Sequence, residues 1–140
     1  MSWARSRRVY ASRVRVFLVR HAEAAPGDPD ELRPLTAAGR DAARALGERL
    51  ATEKPTAVVS SPLLRARETA GLIARACKLD ATADESLAPG ATTEGLRDAT
   101  RDKGDIVVAV GHQPDCSDIV FELTERDVSF PPAGVVELDL

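Results

Sequence analysis

The sequence predicts an α/β fold, a three-layer α/β/α sandwich with a mostly parallel central sheet. Short apolar segments of the kind that form strands alternate along the chain with longer segments of helical periodicity. One segment, Ile106 to Val110, is apolar throughout, which is typical of a strand buried on both faces. The 140 residues suit one hydrophobic core and are too few for two domains.

The composition excludes several classes of protein. A net charge of -3 argues against a general nucleic-acid binder, and no stretch is long and apolar enough to span a membrane. Cys77 and Cys116 are too few for a disulfide framework and are not spaced for a metal site. We therefore expect reduced thiols in a cytoplasmic protein.

Residues 1–13 are predicted to be a basic, poorly ordered extension ahead of a single domain over 14–140. The extension carries four arginines and no acidic residue, a composition that a transit peptide could also have.

The first strand is predicted over Val14 to Val19, with Arg20 and His21 directly after it. Ligands bind at the carboxyl ends of parallel strands, so these two side chains lie where chemistry is expected. The Pro-, Gly- and Asp-rich segment from Ala24 to Leu35 is predicted to be a loop, and its one cation is Arg33. Such a loop could carry Arg33 over the strand end, or leave it as a solvated surface arginine.

The middle of the chain is predicted to repeat this pattern. Thr36 caps a helix from Ala37 to about Lys54, which Pro55 ends, and a short strand follows. A second helix is predicted to start at Ser61-Pro62 with Arg65 in its first turn, where the helix dipole favours an anion. The strands and helices expected in this part and after it are 57–60, 61–78, 79–83, 92–104, 106–110, 114–123 and 135–140.

Three junctions between strand and helix carry arginine or histidine, and they include both histidines of the chain. They are Arg20-His21, the stretch Ser60-Ser61-Pro62-Leu63-Leu64-Arg65-Ala66-Arg67-Glu68-Thr69, and Val110-Gly111-His112-Gln113-Pro114. In this order they resemble the histidine phosphatase superfamily, which includes phosphoglycerate mutases and acid phosphatases. The resemblance implies a phosphoglycerate mutase-like fold.

Within the superfamily the chain is most similar to the small SixA-type phosphohistidine phosphatases. The similarity lies in its shortness, in Arg20-His21-Ala22 where Arg-His-Gly is commoner, and in the stretches Arg33 to Gly39 and Leu87 to Gly90. SixA-like proteins usually have a further C-terminal hairpin partner. We expect that partner to be short or absent here.

The resemblance implies roles for five residues. His21 would attack phosphorus to form a phosphohistidine that water then hydrolyses, and His112 would donate hydrogen bonds to the transferring group. Arg20, Arg65 and, from the SixA resemblance, Arg33 would bind phosphate. The superfamily pattern Arg-Ala-x-x-Thr selects Arg65 over its neighbour Arg67, which we expect on another helix face, paired with acidic residues.

This assignment is chemically reasonable because a guanidinium binds phosphate oxygens bidentately and never loses its charge. The arginines would also keep His21 neutral, as attack on phosphorus requires. The alternative of a metal site is poor, since the cations would repel the ion and further ligands are missing. We expect neither a metal nor a cofactor.

The sequence departs from many relatives at the general acid. Many relatives that act on phosphate esters have a glutamate in a Leu-x-Glu pattern, where this chain has Leu87-Ala88-Pro89-Gly90. A positioned acid contributes about 100- to 10,000-fold when an alkoxide leaves, whereas the P–N bond of phosphohistidine is labile. Asp84, Glu85 and Glu94 remain possible replacements.

The sequence therefore predicts a metal-independent phosphatase of phosphohistidine in a phosphotransfer protein. One alternative is a phosphatase of small phosphate-ester metabolites, and another is a non-catalytic phosphate-binding module. The expected partner is a phosphorylated protein or small molecule, with no nucleic acid and no membrane.

Overall fold

A five-stranded sheet forms the centre of the computed structural model, which describes residues 13–140. The predicted N-terminal extension lies, apart from Arg13, outside the described residues. The strand order is β3-β2-β4-β1-β5, and every neighbouring pair is parallel except β1 with β5. The strands are β1 (Arg15–Arg20), β2 (Ala57–Ser60), β3 (Ala81–Ala83), β4 (Ile106–Gly111) and β5 (Val135–Asp139). The prediction of a mostly parallel sheet is confirmed.

Helices cover both faces of the sheet. They are α1 (Ala37–Ala51), α2 (Leu64–Ala76), α3 (Thr93–Thr100) and α4 (Asp115–Thr124), with short 3-10 turns at Asp30–Leu32 and Glu85–Leu87. Within residues 13–140, no helix has the length and apolar character needed to cross a membrane.

The core consists of two apolar layers because side chains of a strand alternate between faces. On β1, Val16 and Leu18 pack in one cluster and Phe17 and Val19 in the other. The first cluster includes Leu96 of α3 with Ile119 and Val120 of α4, and the second includes Leu46 and Leu50 of α1 with Ala70 and Ile73 of α2. This arrangement is the predicted three-layer sandwich.

Helix α2 begins at Leu64, so the prediction that Ser61-Pro62 forms its first turn is wrong. Leu63 is extended, with φ -67° and ψ 142°, and its N–H donates to Ser61 Oγ at 3.2 Å. That hydrogen bond closes a turn ahead of the helix. Arg65 still lies in the first helical turn, as predicted.

Helices α1 and α3 end earlier than predicted, each two or three residues before a residue with left-handed backbone. Helix α1 ends at Ala51, and Lys54 has a φ of 55°. Helix α3 ends at Thr100, and Asp102 has a φ of 59°. A non-glycine residue in this region cannot continue a right-handed helix.

The segment predicted as an irregular loop, 24–35, has structure of its own. Ala24 and Leu35 form an isolated β-bridge, and the 3-10 turn between them packs against α2. Thr36 caps α1 as predicted, and a side chain on Gly39 would collide with the backbone of Glu23. This close approach holds the loop beside the carboxyl end of β1.

Candidate active site

The two histidines meet at the carboxyl ends of two neighbouring strands. In the parallel pair β1 and β4, Arg20 is opposite Gly111, so His21 and His112 occupy equivalent positions one residue further on. Their ring centroids lie 5.3 Å apart with an angle of 61° between the planes. A group with the size of phosphate could contact both rings.

The His21 ring is oriented by its own loop. Nδ1 lies 2.7 Å from the backbone oxygen of Ala22. A carbonyl oxygen can only accept, so Nδ1 carries the proton and Nε2 keeps its lone pair. Nε2 is therefore the nitrogen that can act as a nucleophile.

Both rings are neutral near pH 7. Burial lowers the pKa of His21 from its ordinary 6.5, and the charges of Arg65, Arg20 and Arg33 lower it further. Burial, followed by His21 and Arg65, lowers the pKa of His112 to about 4. The three arginines predicted to bind phosphate thus all lie within electrostatic range of His21.

Arg65 and Arg33 are joined by a residue that the sequence analysis did not single out, Asp30. Arg65 is 8% exposed and donates through Nη1 to the Asp30 backbone oxygen at 3.0 Å and through Nη2 to Oδ2 at 3.2 Å. Arg33 donates through Nη1 to Asp30 Oδ1 at 3.2 Å and through Nε to the oxygen of Ala25 at 2.9 Å. The hydrogen bond from Arg33, and then the charge of Arg65, hold the pKa of Asp30 below its usual range.

Arg20 keeps donor capacity that the protein does not use. Its Nη1 donates to the backbone oxygen of Phe130 at 2.9 Å. Its Nε is buried and has no acceptor within residues 13–140. An unpaired buried donor costs about 1–3 kcal/mol, so the protein itself leaves this guanidinium incompletely paired.

Thr69 connects the loop of His21 to helix α2. Its Oγ1 accepts from the backbone N–H of Ala22 at 3.0 Å and donates to the backbone oxygen of Arg65 at 2.8 Å. The threonine of the Arg-Ala-x-x-Thr pattern therefore fixes the spacing between His21 and Arg65. The pattern itself was the signal for this role.

Arg67 lies outside this cluster. It is exposed, and no ion pair joins it to any acidic side chain in the part of the chain that the structure describes. The prediction of acidic partners is wrong, because the nearest carboxylate in sequence, Glu68, instead accepts from the backbone N–H of Leu35 at 2.8 Å. The prediction that Arg65 and Arg67 face different surroundings is confirmed.

The possible replacements for the missing general acid are engaged elsewhere or exposed. Asp84 accepts from the N–H and hydroxyl of Ser86, which lower its pKa, and Glu94 pairs with Arg97 at 3.6 Å. Glu85 is exposed. Pro89 begins a segment that is pinned to α4, since the N–H groups of the next two residues donate to Asp115 at 2.9 and 3.1 Å.

Side chains suited to metal binding do not cluster in the described chain. Among residues 13–140, no group of three or more His, Cys, Asp or Glu could hold a metal ion. The donors that face the site are guanidinium and imidazole groups, which suit an anion.

The chain is similar to known proteins in sequence and in fold. The family model described as Histidine phosphatase superfamily (branch 1) matches residues 16–102. That range includes Arg20, His21, Arg33 and Arg65 and ends before His112. A sequence relative, "Probable phosphoglycerate mutase GpmB" of Citrobacter koseri, is 43% identical over 81 residues, which are 53% of this chain and 37% of the relative. The match thus spans little more than a third of that relative's length.

Solved structures of SixA proteins are similar over nearly the whole chain. The protein histidine phosphatase SixA complexed with tungstate has a TM-score of 0.78 and 27% identity, covering 89% of this chain and 86% of that one. SixA from Agrobacterium tumefaciens has a TM-score of 0.76 and 27% identity, covering 90% and 91%. A phosphoglycerate mutase from Bacillus anthracis, at 16% identity and a TM-score of 0.74 over 93% and 89%, shares the fold.

Proposed function

The chain belongs to the histidine phosphatase superfamily, branch 1, and on that basis we propose that it is a metal-independent phosphatase of phosphohistidine in a phosphotransfer protein. The observation that carries the proposal is the pair of neutral rings, His21 and His112, 5.3 Å apart beside three arginines. The SixA structures, which resemble the chain in fold and at 27% identity, support the choice of substrate.

The proposed reaction uses these groups in two steps. His21 Nε2 attacks phosphorus while the P–N bond to the substrate imidazole breaks, and the leaving nitrogen takes the electron pair and a proton from solvent. Water then attacks phosphorus, the bond to Nε2 breaks, and phosphate leaves. Arg20, Arg33 and Arg65 bind the phosphoryl oxygens, and His112 donates to them as charge builds up.

Neither Asp30, which lies beside the arginines, nor Asp84 is suited to be the general acid that an ester requires. Asp30 contacts Arg33 and Arg65, and its lowered pKa keeps it ionised, so it has no proton to donate near neutral pH. Asp84 is likewise ionised. A phosphorylated imidazole tolerates this better than an ester, because its leaving group needs less help from an acid.

An ester substrate is the second candidate, and the relative named "Probable phosphoglycerate mutase GpmB" favours it. A non-catalytic phosphate-binding module is the third. The test measures phosphate release from a phosphohistidine-bearing phosphotransfer domain and from a panel of phosphate-ester metabolites, with chelator present. Release from phosphohistidine alone supports the proposal, preference for an ester supports the second candidate, and binding without turnover supports the third.

Arg65→Lys is expected to lower kcat/KM by roughly 10- to 100-fold, since a point charge cannot replace the bidentate fork. Steady-state kinetics on the preferred substrate measure the loss. Arg67→Lys is the matched control, two residues along the same helix and exposed, and should change little. A larger loss of kcat/KM in Arg67→Lys than in Arg65→Lys would indicate that Arg67, and not Arg65, binds the phosphate.

The rate of phosphoryl transfer is expected to fall on acidification with a midpoint below pH 6.5. Protonation removes the Nε2 lone pair of His21, and the lowered pKa of this ring moves that loss below the ordinary value of 6.5. Single-turnover rates, corrected for spontaneous hydrolysis with His21→Ala, and an NMR titration of His21 give the midpoint. A midpoint above pH 6.5 would contradict the expectation.

A further inference from the structure

The buried hydroxyl of Ser61 is the one protein group in hydrogen-bonding contact with the His112 ring among the described residues. Ser61 Oγ lies 2.7 Å from His112 Nε2, and it also accepts from the backbone N–H of Leu63 at 3.2 Å. Ser61 is 0% exposed and His112 is 5% exposed. The hydrogen bond between them is therefore shielded from bulk water.

The direction of this hydrogen bond follows from the partners of the hydroxyl. Leu63 N–H already occupies one lone pair of Ser61 Oγ, and the hydroxyl proton has no acceptor in residues 13–140 other than His112 Nε2. If Nε2 carried a proton instead, the Ser61 O–H would be buried without a partner, which costs about 1–3 kcal/mol. Ser61 therefore donates, and Nε2 accepts.

This assignment determines which nitrogen of His112 can donate to a ligand. A neutral imidazole has one N–H, so acceptance at Nε2 places the proton on Nδ1. No protein group in the described chain bonds to Nδ1, and it is absent from the buried atoms that lack a partner, so it is open to solvent. The opposite tautomer would present a lone pair at Nδ1, which repels phosphoryl oxygens.

We propose that Ser61 is a positioning residue that holds neutral His112 as its Nδ1–H tautomer, so that the ring donates a hydrogen bond to the transferring phosphoryl group. The part of this inference that concerns turnover rests on the function proposed above. The tautomer itself does not, and it can be observed in the unliganded protein.

The first test is the ¹⁵N NMR spectrum of the His112 ring in the wild-type protein at neutral pH. Protonated and bare ring nitrogens differ widely in ¹⁵N shift, so the spectrum reports the tautomer without any substitution. A protonated Nδ1 with a bare Nε2 supports the proposal. A protonated Nε2 overturns it.

The second test combines Ser61→Ala with kinetics. Ser61→Ala should shift the ring toward the Nε2–H tautomer and lower kcat by about tenfold, with a smaller change in KM. Ser60→Ala is the matched control, because Ser60 is also buried but donates to the backbone oxygen of Ser61 and does not contact His112. An unchanged tautomer and kcat in Ser61→Ala would overturn the proposal.

A double variant separates this inference from the proposed function. In a His112→Ala background, adding Ser61→Ala should cause no further loss of kcat, because the group on which Ser61 acts is gone. A further tenfold loss would mean that Ser61 acts by another route, and it would overturn the proposal. If no substrate is turned over, the proposed function fails while the NMR result still decides the tautomer.

Discussion

His21→Ala is expected to abolish turnover, with a loss of kcat of about 10⁶-fold, as removal of a nucleophile commonly causes. The fold should persist, because within residues 13–140 the ring makes one hydrogen bond, to the neighbouring Ala22, and belongs to neither apolar cluster of the core. Phosphate release, together with trapping of labelled phosphoprotein by rapid acid-free denaturation, measures the effect.

The controls for this prediction separate chemistry from binding. The arginines near His21 remain in the variant, so phosphate should still bind, and thermal unfolding should resemble that of the wild type. The variant protein should not become covalently labelled with phosphate. Turnover within tenfold of the wild type would refute the assignment of His21 as nucleophile.

His112→Ala is expected to lower kcat by about 100- to 1,000-fold, the usual cost of removing one donor that stabilises transition-state charge. The phosphoenzyme should still form, because His21 keeps its own partner at Ala22. Single-turnover measurements of phosphoenzyme formation and decay assign the loss to one or both steps.

His112 is buried, so its removal also affects stability. The variant leaves Ser61 Oγ without a partner for its proton, at a cost of roughly 1–3 kcal/mol. His112→Gln, which retains an N–H donor, is therefore the companion variant and should lose less activity. Wild-type rates in His112→Ala would show that His112 does not take part in the reaction.

Much of the fold could be predicted because the strongest sequence signals are local. The apolar run Ile106 to Val110 forms β4, Ala57 to Ser60 forms β2 as predicted, and Thr36 caps α1. Arg20, His21, Arg65 and His112 follow strands or open helices, and parallel strands bring their carboxyl ends together. Their proximity therefore follows from topology once the elements are known.

The partners of these residues could not be predicted, because they depend on contacts between distant segments. Asp30 is one of three acidic residues within four positions of a polar loop, and only the 3-10 turn against α2 brings its carboxylate to Arg33 and Arg65. The backbone oxygen of Phe130 accepts a hydrogen bond from Arg20, and no sequence pattern indicates this contact. The contact between Ser61 and His112 likewise requires β2 and β4 to be adjacent.

The central position of β4, between β1 and β2, has a consequence for folding. His21, Arg65 and His112 lie far apart along the chain and meet only when β4 pairs with both neighbours. Such pairings close long loops, so they form slowly. The entropic cost of closing these loops is offset only by the contacts of the assembled sheet. A partly folded chain that has β1, β2 and the first two helices would hold the arginines and one histidine but lack the second. Catalytic competence therefore requires the long-range pairing of β4 with both of its neighbours.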